Sequence, residues 1–153
     1  MRSRFPQLGL PVSAIVLLAL LAVPRVVAHD LDLVGPAVNL VLVFAPLVIW
    51  LVVVLAKRVP SPIVTLAAIG LAYGVFLAIG HQVLWTWAVD EEPRLGGNLA
   101  DAPDAVQALV VRGFAVVSSI VTGLLVGVAV GIVAWLITRA RSGWGEDPIQ
   151  GGK

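Results

Sequence analysis

The chain is predicted to be an all-α polytopic membrane protein, a bundle of four transmembrane helices. Three observations carry this. Of 153 residues 59% are hydrophobic and 12% charged, with a mean hydropathy of +1.02, well beyond the roughly half-apolar make-up of a water-soluble domain. The apolar residues fall into four long runs rather than a scattered core. Basic residues also collect at alternate breaks between the runs, as in a chain that crosses a bilayer repeatedly. Residues 1–141 are read as one domain and 142–153 as a disordered cytoplasmic tail rich in Gly and polar residues.

The first span is expected at about residues 8–28. At 1.5 Å rise per residue, about 20 apolar residues cross a hydrocarbon core of roughly 30 Å. Pro24 reads as helix-ending. Arg2 and Arg4, the apolar stretch and Val26-Val27-Ala28 also have the layout of a secretory signal. Cleavage after Ala28 would make His29 an amino terminus able to chelate copper through amine and imidazole. Against cleavage stand the length of the apolar run and Arg25 beside the cut.

The second span, about residues 36–57, should open at Gly35-Pro36, with Pro in the first turn. Its Trp50 lies deeper in the span, and the indole N–H should find a carbonyl or hydroxyl partner unless the ring tilts towards the inner headgroups. Only Lys57-Arg58-Val59-Pro60-Ser61 separates it from the third span, a connection short enough to force an antiparallel hairpin.

The third span, about residues 62–88, should start with Ser61 as cap and Pro62 in the first turn, and end in the interfacial pair Trp85 and Trp87. A polar loop containing Asp90-Glu91-Glu92-Pro93 and Gly96-Gly97-Asn98 follows. The fourth span, about residues 104–139, should begin near Asp101 and Asp104, where carboxylates suit the positive end of the helix dipole. At about 33 apolar-rich residues it is longer than the membrane is thick. Its outer part, to about Val117, should extend or bend near Gly113 in the outer interface.

Arg2, Arg4, Lys57, Arg58, Arg139 and Arg141 fall on one side of the spans, and Asp30, Asp32, Asp90, Glu91, Glu92, Asp101 and Asp104 on the other. Basic flanks stay cytoplasmic, so both ends should be inside, in the cell membrane. In lipid, helices associate through close packing of small residues and interhelical hydrogen bonds. Gly70 and Gly74 in the third span, with Gly123, Gly127 and Gly131 in the fourth, recur every four residues and lie at matching depths. This glycine zipper should join the two helices antiparallel; the alternatives are a homo-oligomer face or merely the general abundance of Gly in membrane helices.

The chemistry-bearing residues are sparse. No charged side chain or His falls near the middle of a span, which lowers the expectation of a proton relay or ion route. Asn39, His81, Gln82 and Arg112, with Arg25, gather towards the outer leaflet as a candidate ligand site, and His29 and His81 are weak candidates for a metal. The competing reading is snorkelling arginines, solvated acids and an anchored His. Thr65, Tyr73, Ser118, Ser119 and Thr122 are expected to bond within or between helices.

There are no cysteines, hence no thiolate metal site or disulfide. No nucleophile elbow, zincin helix or phosphate loop occurs, so no enzyme and no cofactor are expected. A net charge of +1 gives no reason for a nucleic-acid partner. The leading expectation is a non-enzymatic accessory or scaffold component contacting lipid, itself or another membrane protein. The alternatives are a small transporter or channel subunit, or an outer-face metal or ligand sensor.

Overall fold

A computed structural model describes residues 8–89 and 93–143, with side chains of residues 8–89 and 93–141 placed. The basic pair Arg2 and Arg4, the acids Asp90, Glu91 and Glu92, and the tail from Trp144 lie outside the described residues. The described chain is a helical bundle without strands: α1 (Val12–Leu20), α2 (Val23–Asp30), α3 (Pro36–Ala56), α4 (Pro62–Ala88) and α5 (Asp104–Gly143), with a single 3-10 turn at Gly97–Leu99. α1 and α2 together form one span, so four stretches are long and apolar enough to cross a membrane.

The first span is interrupted at Leu21–Ala22. Pro24 has no N–H to offer and its ring crowds the carbonyl four residues back. The ladder tightens there: Leu21 N–H bonds Leu18 O at 3.3 Å and Ala22 N–H bonds Ala19 O at 3.2 Å. The helix then resumes to Asp30, so Pro24 interrupts the span without ending it. Val26, Val27 and Ala28, the residues with the layout of a signal cut, are helical, and Val26 is buried.

α2 and α3 end in the same way. Asp32 (φ 49°) and Arg58 (φ 48°) are left-handed. Leu33 N–H returns to Ala28 O at 2.9 Å and Asp32 N–H to His29 O at 3.2 Å; Val59 N–H returns to Val54 O and Arg58 N–H to Leu55 O, both at 3.2 Å. These are Schellman closures, which satisfy carbonyls that a helix end leaves open. In α3 the closure also brings together Val54 and Val59, both buried.

Two expected helix starts need correction. The Ser61 hydroxyl makes no capping bond; instead Ser61 O accepts Thr65 N–H at 3.0 Å and the Thr65 hydroxyl at 3.0 Å. Asp101 sits in a turn before the last helix, which begins at Asp104. The buried side chain of Gln107 secures that turn, donating to Ala100 O (3.3 Å) and Ala102 O (2.9 Å) and accepting Leu95 N–H (3.1 Å). α5 also runs unbroken through Gly113, so the first part of this span is the helical extension, and the helix passes residues 139 and 141 to end at Gly143.

α4 is the hub of the bundle and the most buried span, 44% of its apolar window being inside. One face carries Leu66, Ile69, Tyr73 and Leu77, which pack on Ile15, Leu18, Ala19, Ala22 and Val26 of the first span and on Trp50 of α3. Trp50 meets Tyr73 edge-on, centroids 5.9 Å apart, and its indole N–H donates to Leu18 O at 2.7 Å. The Thr65 hydroxyl also meets Leu8 O. Gly9, at φ 66°, leaves no room for a side chain beside Val59 and Pro60. The start of α1 therefore lies at the same end as the α3–α4 connection.

The other face of α4 holds the most extensive helix pair, α4 with α5. The two run antiparallel and meet at backbone. A Cβ on Gly127 would lie 2.9 Å from Gly70 Cα, one on Gly123 2.6 Å from Gly74 Cα, and one on Gly131 2.7 Å from Ile63 Cα. Such approach is open only to glycine. α3 is the least embedded span, with 17% of its window inside.

Candidate functional site

The polar residues of the upper bundle derive from three elements. Gly80 of α4 admits α2: a Cβ there would lie 2.8 Å from Val26 Cγ1. With α2 seated on Gly80, its last turn places Asp30 beside the next residue of α4, His81. His81 Nδ1 and Asp30 Oδ2 are 2.6 Å apart, and His29 Nδ1 lies 3.4 Å from Asp30 Oδ1. With the carboxylate ionised, the ring nitrogens are the donors. The Asp30 side chain is only 6% exposed. A carboxylate in the last turn of a helix opposes the dipole, so the histidines supply the partners that the position itself lacks.

α2 and α5 flank α4 without an extensive contact of their own. Between them runs a cleft in two adjoining parts, about 470 and 210 Å³. His29, Asp30, His81, Ser118 and Ser119 line both parts. The upper part adds Trp85 and Phe114; the lower adds Arg25, Leu77 and Thr122. Counting from Pro62 at about 1.5 Å per residue, His81 lies about 28 Å up α4, close to the far edge of a hydrocarbon layer of roughly 30 Å. The cleft thus descends from one edge of that layer towards its interior.

Donors and acceptors in the cleft are unequal. Ser119 Oγ donates back to Ala115 O at 2.7 Å, the ordinary behaviour of a helical hydroxyl. Arg25 Nε and Trp85 Nε1 are buried with no acceptor among the described residues. A buried N–H left unsatisfied costs about 1–3 kcal/mol. Arg112 lies over the Trp85 ring, its guanidinium carbon 5.0 Å from the centroid.

Of the expected constellation, His81 and Arg25 line the cleft. Gln82 meets Arg112, its amide donating to Arg112 O at 3.4 Å. Asn39 does not line the cleft; its Oδ1 is buried and unpartnered in the first turn of α3. His29 and His81 share the Asp30 carboxylate, but among the described residues no three His, Asp or Glu side chains are grouped to hold a metal. Sequence reading passed over Gln107, Gly80 and the specific pairing of Asp30 with His81. Gly80 directly before His81, at the level of an acidic helix end, was the available signal for the last of these.

Compared with protein-family models, with curated proteins and with solved structures, the chain matches none.

Proposed function

We propose that the chain is a non-enzymatic integral membrane component of the cell membrane, with both ends cytoplasmic, acting as an accessory or scaffold through lateral contacts with another membrane protein or a second copy. The observation that carries this is the unequal embedding of the spans. α4 and α5 form a backbone-to-backbone spine, which uses the glycine face inside the chain and supports looking for the lateral contact on another face. α3 attaches sparingly and turns Val38, Val41, Phe44, Val48 and Val52 outward, each more than half exposed. A span that contributes little to its own core remains available for packing against another helix, since lipid offers no hydrophobic penalty for staying apart.

The test is photocrosslinking from Val41 and Phe44 in native membranes, with Leu109 on α5 as the comparison. Discrete protein adducts from α3 are expected. Adducts to lipid alone from all three positions would remove the proposal.

The cleft favours a second reading, an outer-face ligand component such as a sensor or a small transporter or channel subunit. A chain built only for lateral contact has no need of a half-buried polar cleft with unpartnered donors. On this reading, reconstituted flux or ligand response should fall on His81→Ala and be unaffected by Asn39→Ala, since Asn39 does not line the cleft.

A further inference from the structure

The hydrogen-bonding groups of the cleft lean one way. The one carboxylate among the lining residues, Asp30, is occupied by His81 and His29. What is left over is led by two donor-only groups, the Arg25 guanidinium on α2 and the Trp85 indole on α4, beside the Ser118 and Thr122 hydroxyls on α5, which can donate or accept. Two of these residues hold buried N–H groups with no acceptor among the described residues. Buried polar groups are almost always satisfied, and here Arg25 borders the lower part of the cleft and Trp85 the upper part, so an acceptor-rich group lying where the two parts adjoin is what the hydrogen-bond inventory lacks.

The walls carry a second condition. Val26, Leu77, Phe114 and Ala115 line the same cleft, and Phe114 is 73% exposed at its mouth. The volume of the upper part is within the range of sites for small organic ligands. Its depth matches the boundary where phospholipid heads meet their chains. An occupant with an anionic oxygen cluster at one end and a hydrocarbon body at the other meets both conditions. Arg is suited to phosphate oxygens because its planar fork gives two parallel bonds, and the Trp85 ring is the kind of amphipathic group that prefers the headgroup layer.

We propose that the cleft between α2 and α5 holds one anionic phospholipid, its phosphate near Arg25 and Trp85 and its chains leaving past Phe114 into the outer leaflet. The Asp30–His81 pair fixes the wall that carries Arg25. A free phosphate ion would meet the donors but gain nothing from the apolar walls. This assignment builds on the ligand-cleft reading and is independent of the lateral contacts of α3.

The test is native mass spectrometry of the full chain released from detergent, titrated separately with phosphatidylglycerol, phosphatidylcholine and inorganic phosphate. A single phosphatidylglycerol adduct is expected at concentrations where phosphatidylcholine gives none. Arg25→Gln should weaken it at least tenfold, Arg25→Lys should restore part of the loss, and Lys57→Gln at the other end of the bundle should leave it intact. Trp85→Phe, which keeps the ring and removes the N–H, should also weaken it and serves if Arg25→Gln does not fold. Equal occupancy by the two lipids, or retention of the adduct in both Arg25→Gln and Trp85→Phe, would overturn the proposal. Displacement of the lipid by equimolar inorganic phosphate would overturn the lipid as the source. Equal occupancy by an uncharged, phosphate-free amphiphile that also depends on Arg25 would leave the ligand-cleft reading standing while removing the phospholipid.

Discussion

Single side chains decide how the first span is held. The break before Pro24 leaves Leu18 O with only a long backbone bond, and the fully buried Trp50 completes it from another helix. Interhelical bonds of this kind in membranes are worth about 0.6 to 1.7 kcal/mol. Trp50→Phe should therefore destabilise the bundle by about 1–2 kcal/mol in mixed-micelle unfolding, while retaining most of the contact with Tyr73. Trp50→Leu should cost more because the edge-on ring contact is lost as well. That the indole needs either a carbonyl or hydroxyl partner or a tilt to the headgroups was legible, and the buried ring takes the first course. Its identity was not, because the carbonyl became available only through a helix break whose consequences depend on where α1 and α3 meet.

The helices themselves show where periodicity suffices. Residues four apart share a face, so the match of Gly70 and Gly74 to Gly123, Gly127 and Gly131 could be drawn from depth alone; Gly123 and Gly127 do lie against Gly70 and Gly74, while Gly131 lies against Ile63. Helix termini were less legible. Ser61 and Asp101 are good caps by type, but the Ser61 hydroxyl makes no capping bond and Asp101 stands in the turn that the Gln107 side chain holds. Gly127→Leu places side-chain atoms where Gly70 and Leu66 backbone already stand, and no rotamer relieves a clash that begins at Cβ. Loss of α4–α5 association is expected, seen as loss of disulfide formation between cysteines introduced at Ala67 and Val130. Gly113→Leu, which meets nothing within 4 Å, should leave crosslinking intact. Equal behaviour of the two variants would show that the seam does not hold the bundle.

At the scale of the whole molecule, geometry and charge bear on orientation separately. The start of α1, the α3–α4 connection and the far end of α5 lie at one end: Gly9 touches Val59 and Pro60, and Pro62 shares a groove with Trp135 and Arg139. Arg139 caps the Trp135 ring at 5.3 Å, and Lys57 and Arg58 are exposed beside it. Gly131 faces Ile63, so the last turns of α5 project about 18 Å past that level, carrying Arg139 and Arg141 clear of the hydrocarbon. The opposite end carries Asp30, Asp32, Asp101 and Asp104. Positive charge resists translocation, so the basic end should be cytoplasmic. Because the chain has no cysteine, single cysteines report without background. A membrane-impermeant maleimide should label Gly97→Cys on intact cells and label Lys57→Cys and Ala140→Cys only after permeabilisation. The reverse pattern would put the cleft of Asp30, His81 and Arg25 on the cytoplasmic side, and any ligand would then have to come from the inner leaflet.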